Sequence, residues 1–410
     1  MSRTLKGTVT LPGSKSESNR ALMIAAYGGF TPSIDNLSEA HDTVLLNALL
    51  DQVHHHNSSE PLTIDCEDAG TVARFLMTYL ACTPGEWLLT GTERLCERPM
   101  APLIDALRQL GADITPLDQN GLPLRIHGKT LKGGAVTLDA SLSSQFVSSL
   151  LLAAPTWDNG LQLTLTGETV SEPYIDMTLS MMRHFGVKVV RNGNTIVVAH
   201  QSYKSCHFTV SVDWSAASYW YEMMALSAGG SLLLKGLQCD SIQGDARVVE
   251  FFKSLGVNTE FTIDGAWISS KGVLQPIEKP LEFDFQNTPD LFPSILVSCV
   301  VLNIDAVFNG LTTLYIKESD RVNSLISELG KYYTFINIIE GNKLVILKSS
   351  LSNVLNDGKS LSFRTFGDHR LAMALMGLIM RFDNVVVDCP YVVNKSYPTF
   401  WDNFRKLLGI

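Results

Sequence analysis

Four stretches of this chain repeat one pattern. "ALRQLGADI" (106–114), "MMRHFGVKV" (181–189) and "FFKSLGVNT" (251–259) each read as the end of a helix, a glycine that stops it, and a strand. "ISELGKYYTFI" (326–336) is a looser copy. The glycines Gly111, Gly186, Gly256 and Gly330 are separated by 75, 70 and 74 residues. Spacing this regular predicts a duplicated supersecondary unit of about 70 residues, mixing helices and strands. Strand-like runs such as "LQLTLTG" (161–167) and "SLLLKGL" (231–237) lie between the copies. The fold class is therefore α/β or α+β, and 410 residues leave room for five or six copies in two or three domains. No G-x-G-x-x-G follows a strand, which disfavours a Rossmann dinucleotide fold.

Composition narrows the function classes. With 45% hydrophobic and 18% charged residues the chain reads as a soluble globular protein. A formal net charge of −9 argues against nucleic-acid or membrane-surface binding, although a cleft can be locally basic on an acidic protein. "MSRTLKGTVT" has no apolar core of the kind a signal peptide needs, and the longest apolar run, "LAMALMGLIM" (371–380), is too short to span a bilayer. The seven cysteines are scattered, without a C-x-x-C pair. They read as small buried hydrophobes, reduced in a cytoplasmic protein, rather than as a disulfide frame or zinc site. "HHH" (54–56), in the polar stretch "QVHHHNSSEP", reads as a solvated turn rather than a metal site.

The stretch "LPGSKSESNRAL" (11–22) sets Lys15 and Arg20 among serines, between a Pro-Gly turn and strong helix formers. Ser14 or Ser16 reads as the N-cap of a helix. A helix N-terminus favours anions, and two cations strengthen that preference. The G-x-x-x-x-G-K-[ST] phosphate loop is missing, so this is not an ATP P-loop. Further cationic blocks follow: Arg74 in "DAGTVARFL", Arg94 and Arg98 in "ERLCERPM", Lys317 and Arg321 in "IKESDR", Arg370 in "GDHR" and Lys395 in "NKSYP". Hydroxyl and amide donors come in "SLSSQF" (141–146), and carboxylates in "TPDLFPS" (288–294) and at Glu318. Each block alone reads equally well as a solvated loop.

In this order the blocks resemble those of the enolpyruvyl transferases, specifically the 5-enolpyruvylshikimate-3-phosphate (EPSP) synthase family. The resemblance runs from about Gly7 to Phe404 and includes "SEPYIDMTL" and "DHRLAMA". It implies two domains, each of three βαβαββ units, hinged around a cleft. One would comprise residues 14–212. The other, residues 1–13 plus 213–410, would be discontinuous. It also implies transfer of the enolpyruvyl group of phosphoenolpyruvate to the 5-hydroxyl of shikimate 3-phosphate, with loss of phosphate, on the way to chorismate and the aromatic amino acids. Both substrates are small polyanions, which suits so many cations, and charge-assisted hydrogen bonds contribute about 1.5–3 kcal/mol each.

By the same resemblance, Lys15, Gly70, Arg98, Gln145, Arg321, Arg370 and Lys395 match the phosphoenolpyruvate side. Lys15, Ser16, Arg20, Ser143, Ser144, Gln145, Ser171, Asp290 and Lys317 match the shikimate 3-phosphate side. Asp290 matches the acceptor of the hydroxyl proton and Glu318 the carboxylate beside the methylene carbon, with Lys15 as a proton relay. No metal and no organic cofactor is called for, because arginines and lysines can stabilise the developing charge themselves. A monomer without nucleic-acid or membrane partners is expected.

Three positions depart from the family pattern. Asp68 stands where Asn is usual, Tyr315 where Arg is frequent, and Glu172 where Lys is frequent. The segment between His41 and Cys66 is also short, which predicts a trimmed repeat. An uncompensated Asp68 would repel an anionic ligand, so it is expected to be held by a cation, Arg98 first, or turned to backbone donors. Two rival functions remain. A UDP-N-acetylglucosamine enolpyruvyl transferase would carry Asn after the first lysine, where Ser16 stands, and a loop cysteine. A non-catalytic shikimate-phosphate binder would have no reason to keep Lys15, Asp290, Glu318 and His369-Arg370 together.

Overall fold

The structure, a computed structural model, describes residues 3–118, 121–274, 277–351 and 360–409. It divides into two compact units, residues 15–210 and residues 1–14 with 211–410. Each has its own apolar core. The two chain passages between the units run side by side: Gly13 bridges Val212, and Ser14 N donates to Ser211 O (2.8 Å) while Asp213 N donates to Pro12 O (2.9 Å).

One motif recurs four times, twice in each unit. In the 15–210 unit the first sheet holds, in spatial order, Leu62–Asp65, Gly85–Thr90, Leu124–Gly128 and Asp113–Pro116. The second holds Gly134–Asp139, Leu161–Thr166, Thr195–Val198 and Val189–Asn192. In each sheet the first pair is parallel and the other two pairs are antiparallel. The other unit repeats this order with Leu5–Thr10, Gly230–Lys235, Gly265–Ser270 and Asn258–Thr262, and again with Leu281–Asp284, Ala306–Asn309, Lys343–Leu351 and Tyr333–Glu340. Its first sheet takes one strand from before residue 15 and three from after residue 229, so the whole 15–210 unit is an excursion within one repeat.

The sequence pattern explains these strands. In Leu161–Thr166 the three leucines are buried while Gln162 and Thr166 face out, the period-two alternation of a sheet with one covered face. The repeating glycines sit where a helix must turn back into a strand. Gly111, Gly186 and Gly256 have φ of 92°, 83° and 82°, a region that side chains with a Cβ avoid. Gly330 closes helix Arg321–Leu329 with a helical φ of −60°, which explains why that copy is the looser one.

Each unit also contains an abbreviated third copy, a parallel pair of short strands with helices beside it. The pairs are Ser33–Asp35 with His207–Thr209, and Leu361–Phe363 with Val385–Val387. After helix His41–His55 only residues 56–61 precede the next strand, too few for a hairpin. That helix runs through His54 and His55, so these histidines form an exposed last helical turn rather than a loop. His55 Nδ1 lies 3.2 Å from Asp51 one turn back. The apolar run 371–380 lies within helix His369–Met376 and a following 3-10 turn, buried throughout. No helix among the described residues is long and apolar enough to cross a membrane. Of the cysteines, Cys66 and Cys299 are buried and Cys239 is exposed.

Candidate active site

In the 15–210 unit, the candidate residues gather at helix N-termini. Helices Lys15–Gly28, Gly70–Cys82, Ser144–Ala153 and Glu172–His184 begin at or just after Lys15, Gly70, Ser143 and Ser171. Side-chain bonds hold these ends together. Gln145 Nε2 donates to Thr71 Oγ1 (2.9 Å), and Arg74 Nη1 donates to Gln145 Oε1 (2.6 Å). Both join the starts of helices Gly70–Cys82 and Ser144–Ala153. Ser143 Oγ caps the latter by accepting from Gln145 N at 3.2 Å. Ser171 is left-handed at φ 54°, an uncommon conformation for a residue with a Cβ and one that recurs at functional positions.

Arg20 is the strut beneath this arrangement. Its guanidinium donates to Thr178 Oγ1 (2.7 Å), Ser16 O (2.9 Å), Ser148 Oγ (3.1 Å) and Tyr174 O (3.1 Å), and lies over the rings of Phe75 and Tyr174. Four of its five N–H donors are thus used inside the protein. Arg20 is therefore less open than a cation cradle requires, and its burial pulls its pKa down to about 10. Lys15 Nζ donates to Asp42 Oδ2 at 2.8 Å, and Asp42 is almost fully buried.

Arg98 is different. It is 6% exposed, and its Nε and Nη1 have no hydrogen-bond partner among the described residues. Burying a guanidinium with N–H groups unmade is costly unless a ligand completes them. Its neighbour is Gly70, where a Cβ would fall 2.5 Å from Arg98 Nη1 and 2.7 Å from Arg74 Nη1. Glycine thus lets two cations approach the backbone at a helix N-terminus, a combination suited to an anion.

The other unit gathers carboxylates at its helix starts. Asp290 lies in the 3-10 turn Pro289–Leu291, ahead of helix Phe292–Leu302. Arg321 opens helix Arg321–Leu329, and Asp368 caps helix His369–Met376 by accepting from Arg370 N (2.9 Å). Arg321 is fully buried and spreads its fork over three carboxylates: Asp290 Oδ1, Glu318 Oε2 and Asp368 Oδ2, each at 2.8 Å. Arg370 adds a 2.5 Å bond to Asp290 Oδ2 and a 3.3 Å bond to the Tyr219 hydroxyl. Burial by itself would raise the pKa of Asp290, but Arg370, Arg321 and Lys317 outweigh it and hold the carboxyl well below the usual range. Arg321 is pushed the other way, upward, because the three carboxylates outweigh its own burial. Lys395 closes the 3-10 turn Pro390–Lys395 and is buried.

The sequence profile of the family "EPSP synthase (3-phosphoshikimate 1-carboxyvinyltransferase)" matches residues 1–404. The chain belongs to the EPSP synthase family. A 3-phosphoshikimate 1-carboxyvinyltransferase of Bacteroides fragilis is 41% identical over 412 aligned residues, covering 98% of this chain and 95% of that protein. One from Vibrio cholerae is 33% identical over 428, covering 98% and 97%. The solved EPSP synthase of Acinetobacter baumannii superimposes with a TM-score of 0.75 at 23% identity, covering 99% of this chain and 96% of that one, so the two-domain enolpyruvyl transferase fold is shared.

Against that EPSP synthase frame, the departures acquire local explanations. Glu172, in the first turn of its helix, accepts from Arg191 Nη2 at 2.6 Å, and Asp176 takes the other arm of that guanidinium at 3.0 Å. The carboxylate at a helix N-terminus is favourable in itself. Tyr315 lies in the 3-10 turn Thr312–Ile316, its buried hydroxyl without a partner among the described residues. Asp68 is half-buried two residues before Gly70. Arg98 does not hold it: the Arg98 guanidinium turns to Gly70 instead, which corrects the pairing expected from sequence.

The structure adds residues that sequence reasoning did not assign. Asp42 grips Lys15, Asp368 anchors Arg321, and Asp245 is buried near Asp290 and Arg370. Asp368 stood in a quoted motif, "DHRLAMA". Asp42 and Asp245 carry no local signal beyond that of an acid near a helix start.

Proposed function

We propose that this chain transfers the enolpyruvyl group of phosphoenolpyruvate to the 5-hydroxyl of shikimate 3-phosphate and releases phosphate. Membership of the EPSP synthase family supports the reading, as does the buried guanidinium of Arg98 left open beside Gly70. Arg98, the Gly70 backbone, Lys15 and Gln145 bind phosphoenolpyruvate from the 15–210 unit, and Arg321, Arg370 and Lys395 bind it from the other. Ser16, Ser143, Ser144, Gln145 and Ser171, with the remaining N–H of Arg20, bind shikimate 3-phosphate; Lys317 and Asp290 complete that set.

The chemistry follows from the two carboxylates. Asp290 takes the 5-hydroxyl proton as the oxygen attacks C2 of phosphoenolpyruvate. Glu318, with Lys15 as relay, delivers a proton to C3, making a methyl group and a tetrahedral intermediate. Elimination returns a methyl proton to Glu318 and breaks the C2–O bond to phosphate, which departs with the proton that Asp290 had taken. Arg321 shares three carboxylates, and Arg370 holds Asp290 together with the Tyr219 hydroxyl. An anion reaching them would compete with Asp290 for the same donors, and Asp290 would become a better base as it lost them. The protein works as a cytoplasmic monomer in this reading.

The deciding measurement is phosphate release with both substrates, against controls lacking each. UDP-N-acetylglucosamine offered in place of shikimate 3-phosphate separates the related enolpyruvyl transfer. Binding of shikimate 3-phosphate without phosphate release would make the chain a binder and overturn the assignment.

A further inference from the structure

Asp245 lies at the start of the 3-10 turn Gly244–Arg247, in a stretch that the enolpyruvyl chemistry above does not use. It is 2% exposed. Ser215, in the first turn of helix Trp214–Leu226, donates a short hydrogen bond to its Oδ2, and its Oδ1 has no partner among the described residues. The charged groups facing it are Asp290 from the turn Pro289–Leu291, Arg370 from helix His369–Met376 and Asp213 from the cap of helix Trp214–Leu226. The helix that follows it, Val248–Ser254, carries Glu250, which pairs outward with Arg247.

We propose that Asp245 is a positioning residue for the transfer reaction: buried, held by Ser215 and within the field of Asp290 and Arg370, it sets how readily Asp290 takes up a proton. The inference rests on the reading of Asp290 as the hydroxyl base. Held by two arginines and Lys317, Asp290 alone is a weak base, poorly matched to an alcohol proton. The nearby carboxylate of Asp245 supplies opposing negative charge. Two carboxylates that feel each other's charge do not ionise independently. Burial, then the charge of Asp290, pushes Asp245 up to about 7, against the pull of Arg370 and the Ser215 bond. Its charge therefore changes within the working pH range. As pH rises and Asp245 loses its proton, Asp290 becomes more basic. When Asp290 takes the substrate's proton, the repulsion on Asp245 is relieved.

The test compares kcat/KM of the wild type with Asp245→Asn from pH 5.5 to 8.5, using phosphate release. Taking the ratio cancels ionisations of the substrates themselves. The ratio is expected to be near one at pH 5.5 and to climb about tenfold or more by pH 8.5, with kcat falling more than substrate affinity. Ser215→Ala removes the bond that favours the ionised form, so its kcat/KM should rise at higher pH than the wild type's. A ratio that is constant or falls with pH would make Asp245 merely structural. If Asp245→Asn fails to fold by thermal denaturation, the Ser215→Ala profile decides alone: an upward shift supports the proposal and an unshifted profile overturns it. A wild type that releases no phosphate at any pH would instead reject the assigned reaction.

Discussion

The two units use one four-stranded motif and place their candidate residues alike, at the starts of helices, yet they balance charge in opposite ways. In the 15–210 unit the buried cations lean mostly on neutral groups. Arg20 is held by hydroxyls and carbonyls and Arg74 by Gln145, Arg98 keeps N–H groups open, and Lys15 grips Asp42. In the other unit Arg321 donates to Asp290, Glu318 and Asp368, and Arg370 donates to Asp290 and to the Tyr219 hydroxyl. A guanidinium surrounded by neutral dipoles keeps its full charge for a ligand. One in a carboxylate lattice must exchange a partner before it can bind an anion, and that exchange changes the proton affinity of the partner. The first arrangement suits holding a substrate and the second suits moving a proton.

The comparison is tested most severely at the carboxylates. Asp290→Asn and Glu318→Gln keep shape and remove charge, and each should lower kcat by about 10²–10⁴ with a far smaller change in substrate affinity. A near-normal kcat with a greatly raised KM would move that residue to binding.

The next contrast pairs two arginines. Arg321→Ala leaves three carboxylates without their shared cation and should cost about 3–5 kcal/mol of stability in denaturant unfolding. Arg98→Ala removes a guanidinium with open donors, so it should unfold much nearer to the wild-type midpoint. Its phosphoenolpyruvate KM should nonetheless rise about 100-fold, close to 2.7 kcal/mol. Equal destabilisation by both would erase the distinction between the units.

Glu222 is the exception that sharpens the contrast. It is fully buried on helix Trp214–Leu226 beside Gly377, where a Cβ would lie 2.6 Å from Oε1, and neither of its oxygens has a hydrogen-bond partner among the described residues. Burial raises its pKa well above the usual carboxylate value. Below that usual value both folded and unfolded chains carry the proton. Above it only the folded chain keeps the proton, so stability falls by about 1.4 kcal/mol per pH unit until the folded group ionises. Glu222→Gln removes this slope. Its Tm advantage over the wild type should therefore widen from pH 5 to pH 8, and an advantage independent of pH would show that Glu222 already ionises in the fold.

The smallest effect is expected at Asp68. It is half-buried, and solvent screens its charge. Asp68→Asn should change phosphoenolpyruvate affinity by no more than about tenfold, roughly 1.4 kcal/mol. A gain of a hundredfold would mark Asp68 as a repulsive charge that the binding site carries uncompensated.

Much of this was legible in the chain before any coordinates. The glycine spacing revealed the repeat because at three of its four positions the helix turns toward a strand through a left-handed glycine, a local requirement. The ordered blocks from "LPGSKSESNRAL" to "NKSYP" carried the family because phosphate and carboxylate ligands demand cations and hydroxyls on loops and helix starts. The tertiary structure decided which charges are balanced. Whether Arg98 reaches Asp68 or turns to Gly70, whether Arg20 is open or braced, and whether Asp245 feels the charge of Asp290 all depend on side chains brought together across tens to hundreds of residues. Burial then sets the strength of each interaction, because a charge removed from water must be matched by whatever the fold has placed beside it.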